Sequence, residues 1–128
     1  MITQSQFSMR GSELIGKRVM NAAGEDLGKV GDIVVDVTAG KLLYAVLSFG
    51  GVLGIGDKRT AIPMSRLGYD SVRDVFLLNV EKEMLEQAPS FDESSWPNLA
   101  DQEWGRKVHS HYGTTPDWDE AAIPPRTY

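Results

Sequence analysis

The chain has 128 residues, with 13 Lys and Arg against 18 Asp and Glu, a formal net charge of −5, and no cysteine. That length gives one domain with a real core, and the lack of cysteine excludes a thiolate nucleophile, a disulfide framework and any Cys-ligated zinc or iron–sulfur centre. No Lys/Arg-rich run supplies the clustered positive charge that nucleic-acid phosphates or anionic lipids require, so no nucleic-acid partner is expected.

Charge divides the chain near residue 80. Residues 1–80 carry a net +1 and residues 81–128 a net −6, so a near-neutral globular part precedes an acidic appendage. The expected boundaries are an N-terminal arm at 1–11, a β-barrel at 12–80, a helical appendage at 81–112 and an extended or disordered tail at 113–128. The opening MITQSQFSMR is polar and lacks the apolar stretch of a secretory signal. The longest apolar run, Leu42–Leu47, is far below the ~20 residues of a spanning helix. No integral membrane segment and a cytoplasmic location are therefore expected.

From Gly16 onward, short β-branched runs alternate with turn residues, as closely spaced strands require. Strands are predicted at Lys17–Asn21, Leu27–Val37, Lys41–Phe49, Lys58–Ile62, Arg66–Tyr69 and Val75–Val80. In the second, Ile33, Val35 and Val37 fall on one face, expected to be the buried one. Val30 has the opposite parity, and the flanking Gly28 and Gly31 predict a bulge or sharp bend there. The third run is apolar on both faces, which predicts a central strand or one packed outward against another element or subunit. Six short strands suit a small barrel.

Past Val80 the period changes. EKEMLEQA predicts a short helix stopped by Pro89, and Ala100, Trp104, Val108 and Tyr112 recur every fourth residue, predicting a helix from about Asn98 to Tyr112. The final stretch GTTPDWDEAAIPPRTY has no usable period.

Candidate chemistry is sparse. The segment FGGVLGIGD is rich in glycine, and converging backbone N–H groups at residues 50–57 make an anion or small-molecule site the alternative function. It lacks the Lys-Ser/Thr of a P-loop and is followed by a strand, not a helix N-terminus, which favours a hairpin connection. Val52, Leu53 and Ile55 are interleaved with those glycines, and aliphatics at a loop tip are expected to fold back or to meet a partner. His109 and His111 form an H-x-H pair, but on a helix the two point to opposite faces and cannot chelate one ion, so no metal site is expected, and both read as solvated side chains. No G-x-S-x-G elbow accompanies the serines, no nucleophile, base and oxyanion donor assemble, and neither an enzyme nor a cofactor is expected. Among the aromatics of the back third, Trp96 and Trp104 are expected to staple helices to the barrel, whereas Trp118, set among proline and acidic residues, is the candidate for an outside contact.

Four ordered motifs then carry a resemblance: an I-G-x-x-V opening (Ile15-Gly16-Lys17-Arg18-Val19), an N-x-x-G-E-x-L-G turn (Asn21–Gly28), the YAVLSFGG strand and the GIGDKRTAIP segment. Over roughly residues 12–80 the chain resembles the PRC-barrel family, with Met64 after Pro63 where a tryptophan is expected. The downstream WPNLADQEW is similar to a tail of stand-alone bacterial members. The resemblance implies a mainly β, six-stranded barrel with a C-terminal helical appendage. Family members include the cytoplasmic domain of the photosynthetic reaction-centre H subunit and the C-terminal domain of a ribosome maturation factor, and both act by docking. The resemblance thus implies docking without catalysis, and the doubly apolar third strand, the loop aliphatics and the lack of a catalytic set lead to the expectation of a non-catalytic adaptor with an unidentified protein partner, expected to be a homo-oligomer, contacting others through Val52, Leu53, Ile55 and Trp118. A role like that of the reaction-centre H subunit in photosynthetic electron transfer would rest on fold analogy alone.

Overall fold

The computed structural model describes residues 8–50, 58–116 and Trp118. A short helix α1 (Gly11–Leu14) precedes strands β1 (Arg18–Met20), β2 (Asp26–Asp36), β3 (Lys41–Phe49) and β4 (Lys58–Pro63). A 3-10 turn at Met64–Arg66 leads to β5 (Gly68–Asp70) and β6 (Val75–Leu77), and two helices follow, α2 (Lys82–Glu86) and α3 (Gln102–Tyr112).

All six strands form one sheet in the order β4-β3-β2-β1-β6-β5. The pairing is antiparallel except where β1 runs parallel to β6. Laid flat, six strands would hold β4 and β5 about 24 Å apart at ~4.8 Å per spacing. Only Met64–Leu67 connects these two edge strands, and its 3-10 turn rises about 2 Å per residue. A connection that short forces the sheet to roll until its edges approach. The expected barrel is thus present as a rolled six-stranded sheet, but among the described residues no β4–β5 ladder closes it. The seam on the β4 side is covered by the chain itself: Arg59 and Phe91 exchange backbone hydrogen bonds of 2.9 Å each way, and the Thr60 hydroxyl donates to the Pro89 carbonyl at 2.7 Å. This leaves fewer unpaired edge groups at that seam.

β2 departs from the simple period. Its register with β3 shifts between Val30 and Asp32 and again between Val34 and Val35, so Gly31 is the extra residue of the expected bulge. Each shift changes which side chains face inward. Val30 and Val34 are therefore the buried valines, while Val35 and Val37, expected on the buried face, are 45% and 89% exposed. The predicted fifth strand is also displaced, because Met64–Arg66 takes the 3-10 turn and the strand begins only at Gly68.

β3 lies inside the sheet between β4 and β2, and Tyr44 to Ser48 are buried without a break. The second face that the sequence required to be covered is met within the chain: Trp104 of α3 sets its edge on Tyr44, ring centroids 5.4 Å apart. Self-association is not needed to explain that strand. The core joins sheet and helices, with Leu47, Ile62, Leu78, Leu85 and Val108 all fully buried.

Candidate functional site

β3 and β4 pair so that Tyr44 stands opposite Pro63, which places both on one face of the sheet at one end of the hairpin. α3 is held over this end by its own terminal chemistry. The Asp101 carboxylate accepts from the Glu103 N–H at 2.9 Å as an N-cap. At the other end Gly113 takes a left-handed φ of 69°, and the Thr114 N–H reaches the His109 carbonyl at 2.9 Å, a Schellman closure. His111 Nε2 donates to the Met84 carbonyl at 2.7 Å and ties α3 to α2.

The turn after Gly113 brings Trp118 back onto α3. Its ring meets His109 edge-on at 6.1 Å, and the Arg106 guanidinium carbon stands 5.9 Å from the indole centroid. A β-carbon at Gly105 would lie 2.5 Å from Trp118 Cη2 and 3.2 Å from the Tyr44 hydroxyl. A glycine inside a helix costs about 1 kcal/mol relative to alanine, and here that glycine forms the notch which seats the indole.

Beside the seated ring lies a cleft of about 320 Å³ between Lys41–Tyr44 of β3, Pro63–Ser65, His109 and Trp118. Leu42, Leu43, Pro63 and Met64 give it an apolar floor, while Lys41, Ser65 and the imidazole supply polar groups. Trp118 itself stays 40% exposed. Across β2, Val35 stands opposite Leu42, so apolar surface runs from the exposed Val35 through the cleft floor to the indole.

Of the four residues expected to meet a partner, Trp118 is therefore at this site. Val52, Leu53 and Ile55 lie outside the described residues. The strand ends that bracket them, Phe49 and Lys58, pair at the far end of the same hairpin. That is eight residues from Lys41, about 26 Å at ~3.3 Å per residue. Trp118 and the Phe49–Lys58 pair thus lie at opposite ends of the β3–β4 hairpin. The glycine-rich segment 50–57 is described only at Gly50, which has a φ of 67°.

The histidines do bond separately, but His109 is not solvated. It is 7% exposed, with Nδ1 2.7 Å from the Thr114 hydroxyl and its ring 5.6 Å from that of Tyr44. Trp104 joins α3 to the sheet as expected, whereas Trp96 lies in the chain between the helices and packs on Phe91 with centroids 4.8 Å apart. Tyr44, Gly105 and Ser65 were not singled out from the sequence. Gly105 carried a readable signal, since a glycine inside an otherwise helical pattern calls for a packing reason.

Elsewhere the charged groups act structurally. Lys17 Nζ and the Tyr69 hydroxyl donate to the two oxygens of Asp74 at 2.6 and 2.5 Å, which holds that carboxyl below the usual range, Lys17 foremost. Burial pushes the Tyr112 hydroxyl up to about 12, opposed by Thr60 and the Arg66 charge, and this hydroxyl has no aligned hydrogen-bond partner. The Arg59 side chain passes over Gly31 and reaches Glu93 at 2.6 Å.

The fold and site together define a rolled β-sheet domain flanked by helices, with an apolar cleft where sheet meets helix. The PRC-barrel domain model matches residues 8–85, and the chain belongs to that family. No curated protein matches it. The match ends at Leu85, so most of the cleft lining (Lys41–Tyr44 and Pro63–Ser65) comes from the matched residues, and His109 of α3 and Trp118 complete it from beyond the match. Among the described residues no helix is long and apolar enough to cross a membrane.

Proposed function

We propose that the chain is a non-catalytic docking module that holds a partner protein in the cytoplasm. The observation that carries this reading is the apolar surface running from Val35 through Leu42 and the cleft floor to Trp118. Exposed apolar residues that join a cleft into one continuous surface mark interaction sites far better than scattered ones do. In this reading the loop residues Val52, Leu53 and Ile55 are a second contact region. Family membership supports the fold and not a particular role, so partner identity has to come from experiment.

The test is cross-linked recovery from native lysate, separated into soluble and membrane fractions, using wild type, Val35→Asp, Leu53→Asp and Trp118→Ala, with native mass measured on each. The reading expects one dominant partner in the soluble fraction, lost or weakened in at least one variant. Identical recovery from all four proteins would refute it. A native mass of two or more chains that falls to one in Val35→Asp or Leu53→Asp would make the partner a second copy.

A further inference from the structure

We propose that the Trp118 seat is an exchangeable peptide-binding site, and that its ligand is an acidic segment of a partner protein anchored by one aromatic ring. This rests on the docking reading above and names the chemistry of the partner. The resident occupant supplies the pattern. Trp118 is flanked by Asp117, Asp119 and Glu120, and its seat presents positive charge, with Arg106 over the indole and Lys41 in the cleft wall. The tail is thus a tethered version of the ligand, matched to the seat in both charge and shape.

Two features make the seat exchangeable. The indole remains 40% exposed in its notch, a partial burial that another ring can match. The cleft beside it, about 320 Å³ with Leu42, Leu43, Met64 and Ser65 in its walls, is left unfilled by Trp118. A partner segment with a second apolar side chain gains that surface, which the resident tail does not use. A second copy of this chain offers only the same indole, and the tethered tail competes with it at an effective concentration in the millimolar range. Exchange between copies is therefore disfavoured, and a foreign segment is the occupant that the geometry favours.

The experiment uses the full-length chain with Trp118→Ala, which empties the seat, and a fluorescein-labelled peptide of residues 114–121 (TTPDWDEA) as the probe. Fluorescence anisotropy should show the peptide binding to the Trp118→Ala chain, and binding should weaken as salt rises. Affinity should fall about tenfold on the wild type, where the tethered tail competes. Replacing the peptide's tryptophan by alanine should abolish binding, as should adding Gly105→Ala to the chain, since the new methyl fills the notch. Failure of the peptide to bind a Trp118→Ala chain with native circular dichroism would overturn the proposal, and so would equal binding of the alanine peptide. Sedimentation of the wild type should show no Trp118-dependent association. A dimer that dissociates in Trp118→Ala would give the seat to a second copy and overturn the foreign occupant. If the peptide fails while Val35→Asp or Leu53→Asp still loses the cellular partner, the docking reading stands without this seat.

Discussion

Replacing Gly105 by alanine sets two effects of known sign against each other. In a helix interior the change should stabilise by about 1 kcal/mol. Here the added methyl would sit 2.5 Å from Trp118 Cη2, so the indole has to leave its seat. Burying roughly 60% of a ~250 Å² side chain contributes about 4 kcal/mol at ~25 cal/mol per Å². Fixing two or three residues of tail costs about 3 kcal/mol, which leaves docking a net of about 1 kcal/mol. The two effects then nearly cancel in the wild-type background. With Trp118→Ala already present only the Tyr44 hydroxyl, 3.2 Å from the new methyl, has to give way slightly, and Gly105→Ala should show most of its gain of about 1 kcal/mol, a Tm rise of up to about 4 °C for a chain of this size. Urea melts of the four proteins measure the coupling, expected near 1 kcal/mol, and 19F spectra of 5-fluorotryptophan-labelled protein should show the Trp118 resonance moving to its solvent-exposed position. Equal stabilisation of both backgrounds by Gly105→Ala would refute the seated indole.

Three other substitutions test the surrounding structure. Gly28→Ala should destabilise by roughly 3 kcal/mol or more, because φ is 139° there and the new β-carbon would run into the Ser48 carbonyl oxygen of β3; urea melts check this, and a loss under 1 kcal/mol would contradict the β2–β3 register. Tyr112→Phe should raise stability at neutral pH by about 1 kcal/mol, since it removes a buried hydroxyl with no aligned partner. The Tyr112 pKa is raised on folding, so its titration leaves wild-type stability unchanged below about pH 10 and lowers it as pH climbs towards about 12; the phenylalanine variant should lack that part of the alkaline loss in a pH series of melts. For Asp74 the shift is downward, so its contribution is complete above the ordinary carboxylate range and fades as pH falls through the lowered value. Asp74→Asn, which tolerates the left-handed φ of 58°, should flatten the acid limb of the melt series, and an unchanged limb would contradict the Lys17–Asp74 pairing.

Much of the fold was legible because period and punctuation agree. β3 is legible at Lys41–Phe49 because seven of the nine residues between Gly40 and Gly50 are β-branched, aromatic or aliphatic, and Pro63 marks the end of β4. The demand of β3 for two covered faces was also readable, though not that α3 meets it. β2 misled because a two-residue period assumes an unbroken ladder, and its second register shift has no glycine to announce it, so Val35 and Val37 were assigned to the wrong face. The helix predicted from about Asn98 begins only at Gln102, because the Asn98 side chain accepts from the Ala100 N–H at 3.1 Å and Asp101 provides the cap. For Trp118, an outside contact is what its acidic and proline surroundings made legible, and the structure sets its ring on α3 of its own chain. That seat was not legible, because Tyr44, Pro63 and Gly105 meet only through the β3–β4 register and the packing of α3, and no local pattern encodes that meeting.

The most direct test of the docking reading is in-cell photo-cross-linking from position 35, with a photoreactive amino acid at Val35 and a matched control at Val72, which is 92% exposed on the β5–β6 turn. The docking surface predicts one dominant heterologous adduct from position 35 that is absent from position 72 and grows stronger once Trp118→Ala empties the seat. Matching adduct patterns from both positions, or none above background from position 35, would contradict it.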